Sequence, residues 1–347
     1  MVALSLFYFA NEVPDERDDG IYRLLVAGSR FADRHGFSAV WMPERHFHPF
    51  GGIYPNPAVT AAALATITEH VALRAGSVVA PLHHPIRIAE EWAVVDNLSH
   101  GRVGISFAPG WHHEDFVLAP ERFPDRRAHM AEAVRTVRAL WRGEEITGTD
   151  GLGAPASVRL HPRPIQPELP VWITASGSMS TFELAGTLGV GVLTHVASQD
   201  YDMLRGKIAR YRTALQASHP ERPGHVAVML HTFLGRDVDV VRALVREPMC
   251  RYLGSSLDLR VRTPSRAGRV GNTHQLRERE IGLAVSRAFD RYFEEAGLFG
   301  TPEHCADVVA RLADIGADEI ACLIDFGPGL ADTMDSLELL ATLRTRI

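Results

Sequence analysis

Residues 171–182 read VWITASGSMSTF, and the change of pattern inside that stretch decides the fold. Val171 to Ile173 are apolar on both faces, as a parallel strand covered by helices must be. Small hydroxyl residues around Gly177 then lead straight into a helical run. The same strand, loop and helix sequence recurs outward in both directions. Further apolar strands are expected at 4–9, 39–42, 75–79, 103–107, 191–194, 226–234 and 319–324, with the fifth at 171–175. Between them lie helical stripes. Met130, Ala133, Val134, Val137, Leu140 and Trp141 share one face, and Ile21, Leu24, Leu25, Gly28, Phe31 and Ala32 repeat that spacing. Helices are likewise expected at 125–141, 302–315 and 333–346. Eight strands alternating with helices favour an α/β fold closed into a (β/α)8 TIM barrel over an open sheet.

Two stretches interrupt the rhythm. Residues 144–170, rich in Gly and Pro, read as a loop or hairpin, and 236–298 read as a longer, Arg-rich insertion with helical pieces, a lid or an oligomer contact. No internal repeat or linker marks a second folded unit, so 1–347 is expected to be a single barrel domain.

At 347 residues, with 46% hydrophobic and 22% charged, the chain has ample material for one large core. A net charge of -6, without basic blocks interleaved with aromatics, argues against nucleic acid or an anionic membrane as partner. Cys250, Cys305 and Cys322 are too few and too far apart for a disulfide framework or a paired-thiolate zinc site, which suits a reducing cytoplasm. The apolar opening at 1–10 lacks a basic flank and reads as a strand rather than a targeting segment.

Active sites of such barrels gather at the C-terminal ends of the strands, and the residues that follow them here carry chemistry. The second strand runs into WMPERHFHPFGG (41–52), the third into PLHHP (81–85) and the fourth into SFAPGWHHEDF (106–116). Pro85 suits the first turn of a helix and His84 its entry. After the fifth strand, Ser176, Gly177, Ser178 and Thr181 set backbone amides and hydroxyls at a helix N-terminus, the arrangement a phosphate needs. A plain N-cap role for Ser176 or Ser178 is the alternative.

Four segments together resemble the luciferase-like flavin monooxygenases: WMPERHFHPFGGIYPNP (41–57), SVVAPLHHPIRIAEEWAVVDNLSHGRVGISFAPGWHHEDF (77–116), PVWITASGSMSTFELAG (170–186) and GTPEHCADVVARLADIGADEIACLIDFG (300–327). ERHFHPFGG, FAPGWH and CLIDFG look most like the branch associated with polyketide and nonribosomal-peptide biosynthesis. The resemblance implies a reduced-FMN-dependent monooxygenase using O2 through a flavin C4a-peroxide. It places Glu44, Gly76, Ser77 and Ala108 near the flavin ring and Ser176, Gly177, Ser178 and Thr181 around its phosphate. Family members often carry His-His after the glutamate, whereas this chain has Arg45 and His46, leaving His46 as the acid/base candidate. Some relatives have Cys-Arg where Ala108 and Pro109 stand, so Arg127 is considered as a replacement charge, a solvated arginine being the alternative. Arg45 is the candidate cation beside the reduced ring, the alternative being a salt bridge to Glu44 or another carboxylate. Such chemistry needs water excluded, and Trp41, Phe47, Phe50, Trp111 and His112 are candidates for the pocket wall; each aromatic could equally be core.

No Gly-x-Gly-x-x-Gly follows a strand, so a separate flavin reductase is expected to supply FMNH2. The branch resemblance implies an acyl or peptidyl carrier protein as the bearer of the substrate, and relatives suggest a homodimer. Hydroxylation, Baeyer–Villiger insertion and N-oxidation all remain open. The rival readings are an F420-dependent oxidoreductase on the same barrel, a metal-dependent hydrolase drawing on His46, His48, His83, His84, His112, His113, Glu114 and Asp115, and a non-catalytic partner subunit. No metal is expected, since adjacent side chains point apart and no His-Glu-x-x-His helix occurs.

Overall fold

The computed structural model describes residues 2–9, 20–196, 199–262 and 278–347. In chain order the elements are β1 (Ala3–Phe7), α1 (Arg23–Arg34), β2 (Ala39–Met42), α2 (Pro57–Ala65), β3 (Ala72–Val79), α3 (Pro85–Leu98), β4 (Val103–Ala108), α4 (Arg126–Arg142), β5 (Ile146–Thr149), β6 (Pro155–Val158) and β7 (Val171–Thr174). There follow α5 (Met179–Thr187), β8 (Gly191–His195), α6 (Tyr201–Ser218), β9 (Val226–Leu234), α7 (Val238–Arg262), α8 (Glu278–Arg291), β10 (Leu298–Gly300), α9 (Pro302–Asp314), β11 (Glu319–Leu323) and α10 (Leu330–Arg344). Eight parallel strands run in the order β9-β11-β1-β2-β3-β4-β7-β8, and β8 pairs with β9 to close the ring. This is the (β/α)8 barrel expected from the alternation.

The first interruption is an antiparallel hairpin, β5–β6, outside the barrel. The second is built from α7 and α8, a π-helical turn at Tyr292–Ala296 and the short strand β10, which extends β9; its residues 263–277 lie outside the described residues. Among the described residues no helix is long and apolar enough to cross a membrane.

The alternation of side chains along each strand separates two cores. Leu4, Leu6, Val40, Leu73, Ile105, Ile173, Val192, Val228 and Ile320 point outward and pack with helical residues such as Phe31, Trp92, Trp141 and Tyr211. Phe7, Ala39, Trp41, Trp172, Leu193, Ala227, Ala321 and Leu323 fill the interior. Two glycines serve this packing. A Cβ on Gly76 would lie 2.7 Å from the Phe7 ring and 3.2 Å from Trp41 Cβ. Gly143, at φ 88°, takes the left-handed position that ends α4.

The N-terminal half of the barrel interior is closed by a polar plug. Glu319, 1% exposed, accepts hydrogen bonds from Ser5 Oγ at 2.5 Å, Trp41 Nε1 at 2.8 Å and Arg74 Nη1 at 2.7 Å. Arg74 in turn lies over the rings of Trp41 and Trp172, 5.0 and 4.7 Å from their centres. Trp172 donates to His225 Nδ1 at 2.9 Å, and the two indoles meet edge to face. Burial alone would raise the Glu319 carboxyl. Arg74, His225 and the Ser5 and Trp41 donors more than offset that and hold it below its ordinary value.

This plug accounts for one boundary that differs from expectation. The third strand, expected at 75–79, begins at Ala72, because Arg74 faces inward to a carboxylate. The first strand stops at Phe7 rather than at residue 9 because the Phe9 amide donates to Asp325, beyond β11, instead of to the ladder.

Replacing Glu319 by Ala strands Arg74 in the interior and should cost about 3–5 kcal/mol in denaturant unfolding. The native contribution should be present above the ordinary carboxylate value and fade as pH falls through the depressed folded one. A variant as stable as the parent would show that the plug does not depend on the pair.

Candidate active site

At the opposite end of the barrel, Glu44 follows β2 and is 5% exposed. It accepts from His46 Nε2 at 2.9 Å, from His83 Nε2 at 2.6 Å and from the Val79 amide at 2.8 Å. One carboxylate ties together the loops that follow β2 and β3. Burial pushes its pKa up, but the two imidazoles and the amide outweigh burial and hold it low. Burial opposes protonation of His83, yet Glu44 prevails and raises it. His84 caps α3 by accepting from Ile86 N, with Pro85 in the first turn, as the sequence implied.

Next to Glu44, the Arg45 side chain is turned to a different set of partners. It is 8% exposed, with its guanidinium carbon 5.1 Å from the ring centre of Phe9, 5.7 Å from Phe50 and 5.5 Å from Trp111. The expected salt-bridge alternative, with Glu44, is not formed: among the described residues no carboxylate lies within ion-pair distance of Arg45. Asp115 acts on it only from farther away. Asp115 accepts from His112 Nδ1 at 3.3 Å, and His112, 2% exposed, keeps a buried Nε2 without a partner.

Between β3, β4 and β7 runs a row of hydroxyls. Ser77 Oγ bonds Thr174 Oγ1, which bonds Ser106 Oγ at 2.7 Å. The Gly76–Ser77 peptide is cis, and Ala108, half-buried, ends β4 opposite Val79. Beyond β7, Ser176 and Gly177 are exposed and Ser178 and Thr181 half-buried. Ser178 occupies the N-cap position of α5, but its hydroxyl makes no capping bond and instead meets Ser180 Oγ at 2.8 Å. No acidic residue stands in the first turn of α5.

Most of the nominated residues therefore meet at the C-terminal mouth, with two departures. Trp41 is not at the mouth: its indole belongs to the polar plug, fully buried and committed to Ser5 and Glu319. Arg127 is exposed at the start of α4 and, among the described residues, has no bond to the cluster; its neighbour Arg126 reaches the Gly110 carbonyl at 3.2 Å. Phe47 is 61% exposed with φ 55°, on the rim, whereas Phe50 is 2% exposed and packs against Tyr252 of α7. Residues not nominated also take part. His83 stands in the PLHHP segment after the third strand and was offered there only as a metal ligand of the rival hydrolase. Ser106 and Thr174 stand within the stretches quoted at the fourth and fifth strands but were not singled out, and Tyr252 lies in the insertion.

A family model described as luciferase-like monooxygenase matches residues 5–319. The chain belongs to the luciferase-like monooxygenase family. Members of this family are oxidoreductases, and among the relatives the flavin-dependent trigonelline monooxygenase, oxygenase component, of Acinetobacter baylyi is 30% identical over 239 residues. That alignment spans 66% of this chain and 64% of the relative's own length. An F420-dependent glucose-6-phosphate dehydrogenase of Beutenbergia cavernae is 32% identical over 49% of the chain and 52% of its own length. Among solved structures, the monooxygenase RslO1 from Streptomyces bottropensis superposes with a TM-score of 0.81 at 23% identity, covering 98% of both chains. The oxygenating constituent of 3,6-diketocamphane monooxygenase from Pseudomonas putida, a type II Baeyer–Villiger enzyme in complex with FMN, does so at 0.78 and 15% identity over 100% of this chain and 98% of that one. These two likenesses show the shared barrel.

The Glu44–His83 pair sets a pH dependence. The lowered Glu44 contributes above its ordinary value of 4.5 and the raised His83 below its ordinary 6.5. Their joint contribution to stability should thus be greatest between pH 4.5 and 6.5, fading as pH falls through the folded Glu44 value or rises through the folded His83 value. In Glu44→Gln the urea midpoint should lose that bulge; an unchanged pH profile would show that the two groups are not coupled.

Proposed function

We propose that this chain is the oxygenating component of a reduced-FMN-dependent monooxygenase, supplied with FMNH2 by a separate reductase. The observation that carries this reading is the N-terminus of α5. Ser178, in the capping position, leaves the helix uncapped, the first turn holds no acid, and Ser176, Gly177, Ser178, Ser180 and Thr181 crowd around it. An oxyanion is what satisfies such donors. A Cβ on Gly177 would meet nothing within 4 Å, so the approach to these amides is open. The fit extends inward, where the row Ser77–Thr174–Ser106 offers hydroxyls and Ala108 a small, half-buried side chain on the way to Glu44.

When bound, reduced FMN would supply the electrons with which molecular oxygen is activated for transfer to a substrate. The chain's own residues hold and shield it. Ser176, Ser178 and Thr181 would grip the phosphate, while Gly76, Ser77 and Ala108 would border the ring. Glu44, kept ionised by His46 and His83, fixes the positions of the loops after β2 and β3. His46 Nε2 is committed to Glu44, so any proton it moves is governed by that carboxylate. Tyr252 and its helix α7 cover the β1 and β2 side of the mouth through Phe9 and Phe50 and help exclude water. The trigonelline relative's printed name, an oxygenase component, supports the need for a separate reductase.

Anaerobic titration with reduced FMN and with reduced F420, followed by admission of oxygen, separates the two cofactors. Tight uptake of FMNH2 and oxygen consumption are expected. Uptake of F420 alone would overturn the proposal. Ser178→Asp, which sets a like charge at the phosphate, should weaken FMN at least about tenfold; equal affinity would remove the α5 N-terminus from the site.

A further inference from the structure

One charged group at the mouth, Arg45, offered by the sequence as the cation beside the reduced ring, is given no part in holding the flavin by the reading above. Arg45 is buried, and among the described residues its guanidinium makes neither a hydrogen bond nor an ion pair with another side chain. Burying a cation without a counter-ion is costly, and three aromatic faces recover only part of that cost. The groups acting on it are Asp115, from the segment after β4, and Tyr252, from α7. Asp115 is already engaged with His112 Nδ1, and that bond leaves His112 Nε2 buried and unpartnered beside Trp111, the same ring that walls Arg45.

The position within the ring of strands sets Arg45 apart from the α5 N-terminus, for Arg45 follows β2, three places from β7, although Trp111 and His112 follow β4, next to β7. Phe9 follows β1 and α5 follows β7, and in the order β9-β11-β1-β2-β3-β4-β7-β8 those two strands are four places apart in either direction. Two of the walls of Arg45, Phe9 and Phe50, lean on Tyr252 at 6.4 and 4.9 Å. The guanidinium thus lies among segments that follow β1, β2 and β4, on the part of the mouth reached by the insertion helix α7.

We infer that Arg45 is the recognition point for a carboxylate on a substrate whose apolar, ring-bearing body lies against Phe9, Phe50 and Trp111. A carboxylate matches the planar fork of a guanidinium and can take two parallel bonds from it. A phosphate dianion fits less well, since Asp115 would repel its second charge. Calling the ligand a substrate rests on the oxygenase reading above; the anion site itself does not. An acyl group tethered as a thioester presents no free carboxylate at that end, so the site suits a free acid or one whose acid group lies elsewhere on the skeleton.

Calorimetric titration of the whole chain, with and without FMN, tests this with benzoate, phenylacetate, benzamide and inorganic phosphate as probes. At least one of the two carboxylates should bind, while benzamide and phosphate should bind clearly more weakly at this site. Arg45→Gln should lower carboxylate affinity about tenfold to a hundredfold, the loss expected for one charge-assisted pair, and Arg45→Lys should lower it less. FMN affinity in both variants should stay within about twofold of the parent, a change far below one charge-assisted contact. Failure of both carboxylates to bind the parent chain, equal binding of benzamide, or a loss of FMN affinity in Arg45→Gln as large as the loss for carboxylate would each overturn the assignment. Failure of the parent chain to take up FMN, with carboxylate binding intact and dependent on Arg45, would sink the flavin reading and leave the anion site standing.

Discussion

The buried carboxylate of Glu319 is the constraint on which the barrel interior depends. A ring of eight parallel strands encloses a space that side chains must fill, and here the N-terminal half is filled by two indoles and an ion pair rather than by branched aliphatics. Glu319 gathers Ser5, Trp41 and Arg74, and Arg74 is stacked against both indoles. Glu319 takes its three donors from three different strands, β1, β2 and β3. The plug is therefore available only when β1, β2, β3, β7 and β11 are in register, which ties barrel closure to the satisfaction of one carboxylate.

A second buried carboxylate organises the other end. Glu44 holds the loops after β2 and β3 with two imidazoles and one amide. With its charge so satisfied, the neighbouring Arg45 is released from the obvious ion pair and turns to aromatic rings. The mouth then divides into two halves of different chemistry. Hydroxyls and uncapped amides lie toward β7, and a cation after β2 is walled by rings from the segments that follow β1, β2 and β4. The insertion helix α7 contributes Tyr252 to the second half, so the part of the chain that departs from the barrel repeat also shapes that half of the site.

Much of this was legible in the chain itself. The strands at 39–42 and 226–234 have the expected bounds, because an apolar run flanked by polar residues leaves little freedom in where burial begins. The hydroxyl-rich turn after β7 and the Glu44 loop were legible as well, since barrels place their functional residues directly after strands. The role of Arg74 was hidden, because a charge inside an apolar run reads as a strand boundary until its counter-ion, 245 positions away, is known. Trp41 was misplaced for a related reason: it lies one turn of sequence from the mouth loop, but the pleat and its bond to Glu319 send the indole into the plug.

Local pattern, then, determined the alternation of strands and helices, the barrel class, the loops that carry chemistry and the family resemblance, since each depends on neighbours along the chain and on the period of burial. Only the tertiary structure decided which charges meet. Glu44 became the hub for His46 and His83 while Arg45 turned to aromatic rings, and Trp41 joined Glu319 rather than the pocket. Electrostatic partnership is set by distances between side chains from separate strands, and those distances come into existence only when the ring closes.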